Sequence, residues 1–93
     1  MALISITPIP ARVAWDRDAR RPRTVSWGAE RRQVISLLGV RDERHAYRPD
    51  RGPRLVLDLL TERGRVAIAW RPEQRRWLLD AVEEAGAGVG LAA

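Results

Sequence analysis

The stretch from Leu55 to Trp70 constrains the fold more than any other part of the chain. Leu55, Leu57 and Leu59 alternate with Val56, Asp58 and Leu60, then Glu62, Arg63 and Gly64 supply a turn, and Val66, Ile68 and Trp70 resume the period of two. Two such runs about a short turn read as a β-hairpin. A lone hairpin is marginal in water and needs further strands to share its apolar face. The flanking sequence must therefore supply them.

Ala11 to Trp15 alternates with Val13 and Trp15 on one side, and the polar stretch Asp16 to Arg23 reads as an exposed connection. Thr24 to Trp27 repeats the pattern with Val25 and Trp27 in phase, before a turn at Gly28. From Gln33 to Val40 the chain is apolar on both faces, as in a central or strongly curled strand, although periodicity alone also admits a short helix. Arg41 to Pro53, broken by Pro49, Gly52 and Pro53, reads as a surface loop holding the only His and the only Tyr.

After Pro72, the residues Trp77, Leu78, Ala81, Val82 and Ala85 recur at helical spacing, with Asp80, Glu83 and Glu84 opposite and Gly86 as a stop. This predicts a C-terminal amphipathic helix over 73–85. The counter-reading is a last strand at 76–82, with Trp77 and Leu79 pointing inward after a turn at Pro72 to Arg75. The expected fold is α+β and mainly β: a curled antiparallel sheet or half-barrel of 4–5 strands covered by the helix. Without the helix the strands close as an all-β small barrel. The 93 residues suit one domain, with 1–10 as an extension or edge strand, 11–85 as the globular core and 86–93 as a flexible tail.

Cysteine is absent, which removes disulfides, thiolate metal sites and a cysteine nucleophile. Met1 to Pro10 has no basic n-region, and no apolar run approaches bilayer length, so a cytoplasmic location without membrane attachment is expected. The formal net charge is +5 and all 17 basic residues are arginine. Residues 1–41 carry eight arginines against three acids, residues 42–72 seven against five, and residues 73–93 two against four. The positive field is therefore expected in the first half, where it would attract a polyanion.

Candidate chemistry is sparse. Gly86, Gly88 and Gly90 lack the Lys and Ser/Thr of a phosphate-cradling loop. His45, with Asp42 and Glu43 nearby, falls short of the three or four converging ligands a metal needs. Asp16 and Asp18 sit among arginines and read as ion-pair partners rather than a catalytic dyad. Ser26 and Ser36 have no signalled base to activate them. No catalytic residue, metal or cofactor is expected.

The four tryptophans, Trp15, Trp27, Trp70 and Trp77, stand in a chain without phenylalanine. They are expected as bulky core members, each burying about 150–250 Å². The alternative is that Trp15 or Trp27 stays exposed and stacks on bases, while Arg12, Arg17, Arg20, Arg21, Arg23, Arg31 and Arg32 track phosphates.

Pro10, Val13, Pro22, Val25, Trp27 and Gly28, then Val34 and Leu38, and later Val66, Trp70, Trp77 and Leu79 together resemble an actinobacterial family of small domains of unknown function. Its members are similar to segments encoded near, or joined to, polymerase-like proteins of the error-prone DNA-repair mutasome. The resemblance implies an accessory role around DNA and a final strand where periodicity prefers a helix. The chain departs from the pattern at its central loop, where paired aromatics are reduced to Tyr47, and at its end, where Glu83 and Glu84 replace an aromatic-aspartate pair.

The expected function is a non-enzymatic basic module that binds DNA or RNA through an arginine-rich face, as a monomer or weak dimer. The alternative is a protein-interaction module docking through a sheet edge or the C-terminal helix.

Overall fold

The computed structural model describes residues 3–50 and 52–83. They form six strands and no helix: β1 (Leu3–Asp16), β2 (Arg21–Trp27), β3 (Glu30–Glu43), β4 (Arg54–Thr61), β5 (Gly64–Arg71) and β6 (Arg76–Glu83). Each strand pairs antiparallel with the next, and β1 pairs with β6, so the sheet closes as a barrel. The turns at 17–20 and 72–75 and the 44–53 connection share one end, here the hairpin end. The turns at 28–29 and 62–63 lie at the other.

The predicted half-barrel with a C-terminal helix is thus corrected to the all-β alternative. The reason is a bulge. Register in the β5–β6 pair shifts between Ala67 and Ile68, opposite Asp80, so Leu79 pairs with Ile68 while Ala81 pairs with Ala67. One extra residue in a strand advances the inward phase by three rather than two. Trp77 and Leu79 face the core, and Val82 rather than Ala81 follows them inward. A spacing of three, set among apolar residues on both faces, imitates helical periodicity. The same device curls β3, whose Val34, Leu37 and Val40 stand opposite Thr61, Leu59 and Leu57, three residues against two. Leu3–Pro10, within the 1–10 segment expected as an extension or edge strand, is the first half of β1. Residues 86–93, expected as a tail, lie outside the described residues.

The interior is aliphatic. Val25, Val34, Leu57, Leu59, Val66, Ile68, Leu79 and Val82 form one buried cluster, and Trp27 and Trp77 pack on its margin only half-buried. The expectation that tryptophans supply the bulk of the core is corrected accordingly. Inward positions of a small six-stranded barrel converge on a narrow axis, which branched aliphatic side chains fill and indoles do not.

Val56, Ala67, Ala69 and Ala81 form a second buried cluster. Alternation with Leu57, Val66 and Ile68 places it on the outer face of β4, β5 and β6. On that face Arg54, only 3% exposed, donates from Nε to Glu43 and from Nη1 to Asp80, both at 2.9 Å. Asp80 lies two strands away, and the short side chains of Ala67 and Ala69 on β5 leave the span open. Burial works against the Arg54 charge, but its bonds to Glu43 and attraction to Asp80 prevail and raise its pKa.

At the opposite end, Gly64 has φ +118°, and a Cβ there would stand 2.8 Å from Oε1 of Glu83. That carboxylate accepts the Arg65 backbone N–H at 3.0 Å, which, against some desolvation and with help from the Arg65 guanidinium, lowers its pKa. Glu30 is lowered too, chiefly by its bond from Arg32.

Three outcomes follow for stability. Arg54→Ala removes the buried cation that bonds both Glu43 and Asp80 and should cost about 3 kcal/mol in chemical denaturation. Leu59→Ala, which opens a cavity at a fully buried site, should cost about 2–5 kcal/mol. Glu83 and Glu30 have depressed folded pKa values, so their contribution is present above the unfolded carboxylate pKa of about 4.3 and is lost as pH falls through the folded values. The melting temperature should fall on acidification below about pH 4.3, less steeply for Glu83→Gln; an equal slope in that variant would remove Glu83 from the explanation.

Candidate nucleic-acid interface

Trp15, next to last in β1, stands opposite Pro22, and Trp70 and Trp77 face each other across β5 and β6. Closure of β1 on β6 brings the three rings into a row. The Trp15 and Trp77 centroids are 6.0 Å apart at 49°, and those of Trp70 and Trp77 are 5.4 Å apart at 55°, within the range of favourable tilted aromatic pairs. Trp15 is 45% exposed and the other two are half-buried. The row sits at the hairpin end, between the 17–20 and 72–75 turns.

Those two hairpins carry seven arginines, Arg17, Arg20, Arg21, Arg23, Arg71, Arg75 and Arg76, against three acids, Asp16, Asp18 and Glu73. Asp16 is occupied as a turn cap: its Oδ1 accepts the N–H groups of Asp18 and Ala19, both at 3.0 Å. The Ala19 bond is the main cause of its lowered pKa, aided by the Asp18 bond and the nearby charges of Arg21 and Arg23. Its role is backbone satisfaction, not the ion pairing expected from sequence. Arg21 donates to the Ile35 carbonyl at 3.2 Å, tying the first hairpin to β3, and Arg76 donates to Gln74 at 2.9 Å. Arg17, Arg20, Arg23, Arg71 and Arg75 make neither an ion pair nor a side-chain hydrogen bond among the described residues.

Elsewhere the arginines are mostly neutralised. Arg32 and Arg63 share Glu30, Arg65 pairs with Glu83, Arg41 with Asp58, Arg44 with Asp42 and Arg48 with Asp50. The Arg44 bonds hold Asp42 down to about 2. His45 is exposed, and among the described residues no group of three or more His, Asp or Glu side chains is placed to hold a metal ion.

The nine residues singled out by sequence therefore divide. Trp15, Arg17, Arg20, Arg21 and Arg23 gather at the hairpin end. Arg12 and Arg31 lie on the outer face towards the opposite end, in one row through Ser26. Arg32 turns towards Trp27: its Cζ is 5.0 Å from the ring centroid, its Nε bonds Glu30 at 2.9 Å, and its Nη1 is buried without a partner. Trp27 is thereby covered on one face by Arg32 and is half-buried where Trp15 is exposed. The expected single arginine face across residues 12–32 is corrected to two separate groups. Sequence missed Arg75 and Arg76 because a helix over 73–85 removed them from any shared surface, and Arg71 because only barrel closure brings the end of β5 beside the first hairpin. The turn signal at Pro72–Arg75 between two tryptophans was the available clue.

Arg20 and Arg75, each closing a turn, adopt φ of +56° and +53°. Side chains with a Cβ pay about 1–2 kcal/mol for this region, and glycine is its usual occupant. Both strained positions hold an exposed arginine that makes no ion pair among the described residues.

No protein-family model matches the chain, no curated protein matches it, and no solved structure matches it. The resemblance to repair-associated domains rests on the residues quoted for it.

Replacing Arg20 and Arg75 by glycine should stabilise the barrel by about 0.5–1 kcal/mol each, the relief of left-handed strain less the entropy glycine loses. Urea denaturation checks this; lower stability in both variants would mean that the side chains, not the backbone, hold these turns.

Proposed function

We propose that the hairpin end is a non-catalytic binding surface for single-stranded nucleic acid. The observation that carries this reading is the concentration in the 17–20 and 72–75 hairpins of arginines without an ion pair among the described residues, beside a tryptophan row whose outer ring, Trp15, is exposed. Single-strand binders combine a positive track for the backbone with aromatic rings that accept bases, each stacked base contributing about 1–3 kcal/mol. Trp15 offers the open ring, Trp77 and Trp70 hold it in place from beneath, and Arg17, Arg20, Arg23, Arg71 and Arg75 face the phosphates. Strained arginines at both turn tips are in keeping with side chains positioned for a ligand rather than for the fold. The resemblance to DNA-repair-associated domains favours DNA as the polymer.

A second reading has one observation behind it. β2 pairs with β3 through Glu30–Gln33 alone, so among the described residues Leu37–Glu43 has β4 on one side and no strand on the other, and Ile35, Leu38 and Val40 are each at least half exposed nearby. Such an edge suits a protein partner adding a strand. The companion idea of a docking helix is withdrawn, since residues 76–83 are β6.

Tryptophan fluorescence titrated with single- and double-stranded oligonucleotides separates the two. Nucleic-acid binding should quench Trp15, prefer single strands and weaken with salt at a slope of roughly −3 to −4 if five arginines each meet a phosphate. Arg17→Ala and Arg75→Ala should each reduce that slope by about 0.7. Absence of quenching at low salt, together with a protein partner retained after nuclease treatment, would transfer the function to the β3 edge.

A further inference from the structure

Arg12 and Arg31 are the arginines outside the hairpin end that have no carboxylate partner and no side-chain hydrogen bond among the described residues. Their neighbours towards the same end, Arg32, Arg63 and Arg65, are all paired with Glu30 or Glu83. Arg12 stands opposite Ser26, and Ser26 stands opposite Arg31, so the three residues form one row across β1, β2 and β3. Cross-strand partners share a face, and neighbouring strands lie about 4.8 Å apart, which puts the two arginine backbones about 10 Å from each other with a hydroxyl between them. Beside this row is a cleft of about 500 Å³ lined by Pro10, Ala11, Arg12, Ser26, Trp27 and Gly28. Its size falls within the span of small-ligand sites.

We infer that Arg12, Ser26 and Arg31 form a phosphate subsite, and that the adjoining cleft takes the planar body of the same molecule against Trp27. The ligand class is a phosphate monoester bearing an aromatic ring, as in a nucleoside monophosphate. Two guanidinium groups and a hydroxyl suit a dianion with several acceptor oxygens, because arginine binds phosphate through paired charge-assisted hydrogen bonds. The Trp27 wall is fixed in advance: Arg32 lies over the ring and is itself anchored by Glu30. The turn at Gly28 leaves the mouth open, since a Cβ there would meet nothing within 4 Å. This site is independent of the hairpin-end surface, with which it shares no residue.

The test is a titration of the ¹⁵N-labelled full chain with AMP, adenosine and inorganic phosphate, followed by amide shifts. AMP should shift Ser26, Trp27 and Gly28 saturably, and adenosine should bind at least tenfold more weakly. Arg12→Ala and Arg31→Ala should each weaken AMP at least tenfold while keeping the wild-type melting temperature, since both side chains are exposed. Arg20→Ala with Arg75→Ala should leave AMP binding unchanged. AMP shifts confined to the two hairpins, or affinity unaltered by Arg12→Ala and Arg31→Ala, would overturn the assignment. So would an oligonucleotide, and not AMP, whose affinity those two variants weaken, because the row would then be a contact for the polymer backbone.

Discussion

The pairing of β1 with β6 is the contact on which the architecture and its surface both depend. β1 serves two partners along its length: Leu3–Ala11 runs beside β6, and Arg12–Asp16 runs beside β2. That handover converts a six-strand meander into a ring, and it sets Ala11 against Trp77 so that Trp15 meets the same ring from the next hairpin. Without the seam, the hairpins at 17–20 and 72–75 would lie at opposite edges of an open sheet. Closure joins the first strand to the last, a pairing of high sequence separation whose loop entropy must be met before it forms.

Charge is distributed according to what the barrel must bury. On the outer face, Arg54 is desolvated and held by two carboxylates, an arrangement in which attraction is largely offset by desolvation and whose disruption is costly. Around the end formed by the 28–29 and 62–63 turns, Glu30, Glu62 and Glu83 take up guanidinium groups or strand N–H groups and close the rim. In the 17–20 and 72–75 hairpins Asp16 caps backbone N–H groups, Asp18 and Glu73 are exposed, and Arg17, Arg20, Arg23, Arg71 and Arg75 make no ion pair among the described residues. A chain with a modest overall excess of positive charge thereby gathers arginines without ion pairs beside aromatic rings, and the positive field is concentrated there.

The hairpin at 55–70 was legible because both its strands run without interruption and its turn residues are distinctive. The last strand was not, because the extra residue at Asp80 changes the inward spacing after Leu79 from two to three, and because Leu78 and Ala81 are buried on the other face. Bulges in β3 lengthened a strand that sequence ended at Val40. For the site, Trp15 and the first hairpin's arginines could be read locally. The division of Arg12, Arg31 and Arg32 from them depends on which way each alternating position points, and the contribution of Arg71, Arg75 and Arg76 depends on closure, which no local pattern encodes. Trp27 shows the same limit: its covering by Arg32 is a cross-strand contact between residues that sequence had grouped as fellow ligand contacts.

The closure itself is open to one direct observation, the cross-strand proton contacts of β6 in solution by nuclear Overhauser spectroscopy. A ring requires contacts from Leu79 to both Ile9 and Ile68, from Trp77 to both Ala11 and Trp70, and between the Trp15 and Trp77 indoles. Sequential amide–amide contacts through 76–83 in the manner of a helix, or contacts from β6 to β5 alone, would open the barrel and separate the two hairpins whose union makes the surface.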